Sequence, residues 1–359
     1  MEVYLLLVFL WSVGYFTIKA LDNRFVNING KMIYSIFAGI LMFLVIGFRD
    51  KSIGADTEQY LYLYELRGNY DWHTIFKIDE WLFSALMKAL SSVGIGEQGF
   101  LLIMSLIICV IFSVFYYKYS KNVFLSFYLH LTIGLFAMSM SGIRQVFAIC
   151  IVIIAFIFMM KNKPISYIIT IILAVQIHTS AIVFLPMYFI KYVKFNKKSG
   201  WILLSITTLT LVLRKPLIPV IEFLLPERYE KYGAFSNNQL VNPLLIVIAL
   251  AIPFTVLILI GNLNRKQEIE QKNFSIFFTL SCINAIINIL SLNSNMIGRV
   301  SFYFVIFNMV LIPNVIDNLK DPLLKLVATY FCILFPAIQF LMATPGGTMK
   351  IDNFKFFWQ

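Results

Sequence analysis

Eleven long apolar runs decide what this chain can become. They fall at about 3–20, 32–48, 99–117, 123–141, 143–160, 164–190, 200–225, 242–262, 274–292, 297–316 and 322–342. Roughly 20 apolar residues carry a helix across a hydrocarbon core of about 30 Å, and most of these runs reach that length. Within lipid, every backbone N–H and C=O must find a partner inside the protein, so continuous apolar runs predict helices and exclude open sheets. The predicted fold is therefore an all-α polytopic membrane bundle of about 11–12 membrane segments.

Only 13% of the 359 residues are charged, against about 25% in ordinary soluble domains. No stretch is rich enough in polar residues to build an independent soluble core. The simplest organisation is a single integral membrane domain over 1–359, with an external segment inserted at 49–98. The four cysteines, Cys109, Cys150, Cys282 and Cys332, all lie in apolar runs without metal-ligand spacing. They read as small buried hydrophobes.

Lysine and arginine set orientation. Placing 19–31, 118–122, 161–163, 191–199, 263–273 and 317–325 on the cytoplasmic side puts the whole net charge of +11 there. The basic balance is thus a topogenic signal, and no nucleic-acid partner is expected from it. Both flanks of 164–190 then lie inside, so this run must enter and return. Twenty-seven residues make about 40 Å of helix, too short for two comfortable crossings. A bent re-entrant pair is predicted, broken near Gln176-Ile177-His178-Thr179-Ser180.

The external segment opens with Arg49-Asp50-Lys51-Ser52-Ile53-Gly54-Ala55-Asp56-Thr57-Glu58-Gln59-Tyr60. Asp56 or Thr57 is a good helix N-cap. Residues 79–93 read as an amphipathic helix whose apolar face holds Trp81, Leu82, Ala85, Leu86, Ala89 and Leu90. Trp11 and Trp201, near span ends, read as interfacial belt residues.

Motifs of soluble enzymes are absent: no phosphate-cradling glycine loop, no Gly-x-Ser-x-Gly elbow and no zinc spacing. What remains is a set of polar groups at one depth. Arg49, Arg144 and Arg299 all fall at the outer level of this topology, where a charge near hydrocarbon costs about 2.5–3.5 kcal/mol. The first group runs from Arg49 through Asp56 to Tyr60. The second is Ser141-Gly142-Ile143-Arg144-Gln145, in which Arg144 can offer phosphate a planar fork. The third is His178 with Thr179 and Ser180. The fourth is Asn293, Asn295, Gly298, Arg299 and Tyr303, the last two sharing a helical face.

Each has a plainer reading. An arginine at a helix end commonly snorkels to the interface. His178 is equally readable as a satisfied core histidine, and Glu80 as a solvated acid. His130 reads as structural, satisfied by Ser126 or Tyr128. Several cations at one membrane face nonetheless point to an anionic ligand.

These residues resemble a known family. Arg49-x4-Gly54-x-Asp56-x3-Tyr60 looks like the corresponding stretch of the EpsG-like exopolysaccharide polymerases, relatives of the Wzy polymerases of O-antigen and capsule. The likeness continues in Gly142 through Gln145, in Ala174 through Ala181, in Arg299-Val300-Ser301-x-Tyr303-Phe304 and in the aromatic ending Phe354 through Trp358. A proline or small residue usually follows the acid that matches Glu80; here it is Trp81.

The resemblance implies an inverting glycosyltransferase of the cytoplasmic membrane, with its site facing outside or the periplasm. Its substrate would be a polyprenyl-pyrophosphate-linked oligosaccharide, with membrane lipid around it and flippase, export or chain-length-regulator proteins as partners. An acceptor hydroxyl attacks the anomeric carbon and polyprenyl pyrophosphate leaves. No cofactor or metal is expected, because arginines can offset the leaving group's charge. Arg49, Tyr60, Arg144, Gln145, Arg299 and Tyr303 are the candidate pyrophosphate- and sugar-binding residues. Asp56, His178 and Glu80 are the candidate catalytic groups, a general base needing to come within about 2.6–3.2 Å of the hydroxyl. Two other classes use similar residues: a transporter or flippase of lipid-linked oligosaccharide, and a membrane O-acyltransferase of surface glycans.

Overall fold

The computed structural model describes residues 1–22, 29–193, 198, 201–202, 205–213, 216, 268–291 and 295–359. The predicted run at 242–262 lies outside the described residues, and that at 200–225 largely so. The helices are α1 (Glu2–Asp22), α2 (Gly30–Gly47), α3 (Thr57–Gly68), α4 (Trp72–Lys77), α5 (Trp81–Ser92), α6 (Glu97–Tyr119), α7 (Val123–Thr132), α8 (Leu135–Ser141), α9 (Ile143–Met160) and α10 (Pro164–Ile177). A 3₁₀ segment, Thr179–Tyr192, follows, and then α11 (Glu268–Leu290), α12 (Asn295–Asp317) and α13 (Pro322–Ala343). Among the described residues there is no strand, only an isolated antiparallel bridge between Arg49 and Phe356.

Seven described helices are long and apolar enough to span a bilayer: α1, α2, α6, α9, α11, α12 and α13. The protein is thus a multi-pass, all-α membrane protein. Two breaks interrupt the remaining apolar runs. At 164–190 the predicted break is present: α10 ends at Ile177, and His178 adopts extended backbone with φ −152° and ψ 117°. The second break was not legible. The run at 123–141 divides into α7 and α8 with a 58° bend. Gly134 makes the turn in left-handed backbone, φ 92°, which glycine enters without a Cβ penalty.

The described structure divides into two compact units, Met1–Tyr188 with Tyr330–Gln359, and Phe189–Thr329. In the first, α1 packs on α2, α2 on α6, α6 on α9 and α9 on α10. Phe100, Phe112, Phe127, Phe136 and Phe156 fill its interior. Trp11 is not a belt residue. It is fully buried, tilted against Phe127 at 5.5 Å, and its indole N–H donates to the Ala38 carbonyl at 3.2 Å. On α6, Leu106, Val110 and Val114 repeat every fourth residue as an exposed apolar stripe. That is a lipid-facing pattern rather than a soluble surface.

In the second unit, α11 and α12 pack together through buried amides. Asn284 Nδ2 donates to the Ser301 carbonyl at 2.8 Å, and Asn308 Nδ2 donates to Asn284 Oδ1 at 3.1 Å. Interhelical hydrogen bonds of this kind select a partner where lipid removes any hydrophobic drive.

The external segment holds α3, α4 and α5. Asp56 occupies the N-cap position of α3 but makes no side-chain capping bond. The packed face of α5 differs from the expected one: Phe83, Ser84 and Met87 are buried, and Ala89 is exposed. Apolar residues surround this helix on nearly all sides, so periodicity alone did not single out a face. Packing against α3 does, with Tyr60 meeting the Phe83 ring edge-on at 6.1 Å.

Candidate functional site

Three breaks in regular structure build one site in the first unit. Gly142 ends α8 and caps α9, so Arg144 stands in the first turn of α9. That turn has no acidic residue. A cation there opposes the helix dipole, and an anion is needed to balance it. His178 stands at the end of α10, its N–H donating to the Ala174 carbonyl at 2.9 Å. Glu80 precedes α5 in left-handed backbone, φ 56° and ψ 42°. Such backbone costs a residue with a Cβ about 1–3 kcal/mol and persists only where the surroundings fix it.

The surroundings here are Arg144, His178 and Thr179. Glu80 Oε2 lies 2.8 Å from Arg144 Nη1. Its Oε1 accepts from the Thr179 backbone N–H at 2.6 Å and from the Thr179 hydroxyl at 2.7 Å, and lies 3.2 Å from His178 Nδ1. α10 packs on α5, which places His178 beside Glu80. Burial pushes the Glu80 carboxyl up, but the His178 bond, the Arg144 charge and the two Thr179 donors outweigh it and hold it at about 2. An ionised carboxylate only accepts, so His178 Nδ1 carries the hydrogen. That assignment leaves Nε2, on the opposite edge of the ring, turned away from Glu80.

The cluster is partly open. Side-chain exposure is 14% for Glu80, 23% for His178 and 36% for Arg144. Arg144 therefore holds Glu80 through Nη1 with over a third of its side chain exposed, while its Nε is buried without a hydrogen-bond partner.

Arg49 is placed differently. It is 0% exposed, donating from Nη1 to the Ile46 carbonyl and from Nη2 to the Met140 carbonyl at 3.1 Å. No ion pair joins it to Asp56. The Met140 carbonyl also accepts from the Thr57 hydroxyl at 3.1 Å, while Ala55 N–H donates to Ser141 Oγ at 2.8 Å. The loop before α3 is thus tied to the same turn that starts α9, with Asp56 half-buried on it.

Tyr60 and Gln145 are buried. Arg299 is exposed and Tyr303 fully buried, both on α12 in the second unit. Asn293 lies outside the described residues. His130 is satisfied neither by Ser126 nor by Tyr128: its Nδ1 meets the Tyr116 hydroxyl at 2.7 Å. Of the sequence candidates, the structure therefore gathers Glu80, Arg144 and His178, with Thr179 of the His178 group as a direct partner of Glu80. The central position of Glu80 had no sequence signal, because a left-handed turn at a non-glycine residue leaves none.

The family's sequence model matches residues 32–356, nearly the whole chain. The chain belongs to the EpsG family. No curated protein and no solved structure matches it. Membership in the EpsG family agrees with polysaccharide biosynthesis at a membrane and with a polysaccharide polymerase of glycosyltransferase type. In this EpsG-family chain, Gly142 through Gln145 and Ala174 through Ala181 contribute the cation and the imidazole that converge on Glu80.

Proposed function

We propose that the chain joins polyprenyl-pyrophosphate-linked oligosaccharide repeat units at the outer face of the cytoplasmic membrane, and that Glu80, Arg144 and His178 form its reaction centre. The supporting observation is the single carboxylate held at once by Arg144, His178 and Thr179. His178 Nε2 accepts the proton of the acceptor hydroxyl. The hydroxyl oxygen bonds to the anomeric carbon, the bond from that carbon to pyrophosphate oxygen breaks, and its electron pair leaves on the pyrophosphate. Displacement from the opposite face inverts the anomeric centre. Arg144 and the uncapped start of α9 offset the charge gathering on the leaving group, a role that positioned cations and helix N-termini fill elsewhere. This makes a metal unnecessary to the scheme. Glu80 is a positioning residue, which fixes the imidazole tautomer and aims the guanidinium, as the buried acid of a hydrolase triad does.

Asp56 is a second acid for acceptor hydroxyls, and Tyr60 and Gln145 support the walls from within. Arg49 is assigned to structure, its Nη1 and Nη2 donating to backbone carbonyls from a fully buried site. Arg299 with Tyr303 remains a separate anion-binding candidate, to be tested by its own variant.

The test is product analysis in a strain lacking the chromosomal copy. Arg144→Ala and His178→Ala, at normal abundance, should leave single repeat units on the lipid carrier and no polymer. Full-length polymer from both variants would end this assignment. Purified protein in liposomes separates the remaining classes: a polymerase lengthens the glycan, a flippase moves it unchanged, and an acyltransferase labels it from acyl donor.

A further inference from the structure

We propose that Trp72, Phe76 and Trp81 form a saccharide-binding ridge that holds the glycan chain beside the Glu80 centre. The ridge rests on reading that centre as a polymerase.

The ridge is rigid. α4 is pinned beneath by Ile75, which is fully buried, and at its start by Asp71, whose carboxylate accepts from the Thr74 N–H and hydroxyl. Trp72 and Phe76, one turn apart, therefore share the outer face, 44% and 56% exposed. Their rings stack with centroids 6.1 Å apart and 29° between planes. Phe76 then meets Trp81 at 5.2 Å and 62°. Trp81 is bonded to Glu80 through one peptide, so the ridge is continuous with the reaction centre. The left-handed backbone of Glu80 fixes the angle between them.

The chemistry selects the occupant. A sugar ring presents polarised C–H groups on one face and hydroxyls around its rim. Aromatic faces, negative at the centre, attract the former, and carboxylates accept from the latter. Asp71 and Asp79 are exposed on the same stretch. The charged groups from 71 to 80 are Asp71, Lys77, Asp79 and Glu80, with His73 beside them. With Glu80 paired to Arg144, Asp71 and Asp79 stand against Lys77, a balance that disfavours an anionic lipid surface or a free phosphate and suits an uncharged glycan.

The experiment compares Trp72→Ala/Phe76→Ala with Trp72→Phe/Phe76→Tyr, which keeps both rings, in purified full-length protein. The probe is a set of short oligosaccharides released by mild acid from the polymer of wild-type cells, and binding is read by titration calorimetry. The alanine pair should bind these fragments about tenfold more weakly, the scale of one lost aromatic contact, and should make shorter chains. The ring-keeping pair should match wild type in both. His178→Ala should bind fragments normally yet make no polymer. If the alanine pair binds fragments and elongates like wild type, the ridge is wrong. It is equally wrong if brominated lipid in nanodiscs quenches the fluorescence that Trp72→Phe removes, because the ridge then sits in the bilayer. Polymer made by His178→Ala, together with lost fragment binding in the alanine pair, would overturn the reaction centre and leave the ridge standing.

Discussion

Arg49 and Arg144 flank the same turn and are held in opposite ways. On one side Arg49 reaches the Met140 carbonyl from a site with no exposure. On the other, Arg144 leaves the first turn of α9 for a carboxylate and keeps over a third of its side chain accessible. Carbonyl dipoles around a sealed guanidinium make a strut, since no ligand can displace them without opening the fold. A carboxylate partner at a partly wet edge makes an exchangeable contact, since an incoming anion can share it. The difference shows that a cation in such a chain is read from its partners and access. Position in the chain alone assigns all three arginines alike.

The strongest way to break this comparison is to measure rate and abundance together. His178→Ala should lower polymer formed per molecule by about 10²–10⁴, the usual worth of a general base. Arg144→Ala should lower it by about 10²–10³, the usual loss of one charge-stabilising donor. Arg144→Lys should recover little, since an ammonium lacks the planar fork. All three should lower abundance in the membrane far less than they lower the rate per molecule. Arg49→Ala should do the reverse. It takes the guanidinium donor from the Ile46 carbonyl and one of two donors from the Met140 carbonyl, at roughly 1–3 kcal/mol for an orphaned buried group, so the protein should accumulate poorly. Normal abundance of an inactive Arg49→Ala would erase the distinction between strut and site.

How much of this was readable beforehand differs between the two regions. The spans were legible, since apolar length alone specifies them. The break at His178 was legible too, because Gln176 through Ser180 interrupts an apolar run with polar residues. The break at Gly134 was hidden, since Ile133 and Leu135 keep the run apolar across it. Arg49 and Arg144 were both visible as cations at the ends of apolar runs, but burial is a tertiary property, and their separate placements were not written in spacing. Glu80 was a candidate only through the family resemblance, as a catalytic acid beside Asp56 and His178, with nothing to mark it as the hub of the cluster. What singles it out is the meeting of α5, α9 and α10, across sequence separations of 64 residues to Arg144 and 98 to His178.

Gly54 sharpens the strut side. Its φ is +94°, and a Cβ there would stand 2.6 Å from both the Met140 carbonyl and the Thr57 hydroxyl oxygen. Gly54 N–H also donates to the Lys350 carbonyl at 2.9 Å, beside bonds from Ala55 to Met349 and from Asp50 to Lys355. Gly54→Ala should cost about 2–3 kcal/mol from strained backbone and close contact. A thermal-shift measurement in detergent should show the loss, with residual rate per folded molecule near wild type. A loss of rate without any loss of stability would mean that this loop belongs to the reaction centre.

The smallest effect lies in acid. The Glu80 carboxyl sits at about 2, below the ordinary 4.5. A depressed carboxyl adds stability that is fully present above its unfolded value and fades as pH falls toward the folded one. The stability gap between wild type and Glu80→Gln should therefore be flat from neutral pH down to about 5, then narrow between about 4.5 and 2. Its full size should be on the order of 2 kcal/mol, reduced from the nominal shift because Arg144 is partly solvated. Arg144→Ala should shrink the gap, since the guanidinium charge is among the causes that hold the carboxyl down. Arg49→Lys should leave it intact, since Arg49 makes no contact with Glu80. A gap that instead narrows between pH 7 and 5 would place Glu80 in a drier, unpaired setting, and would take away the anion that orients His178.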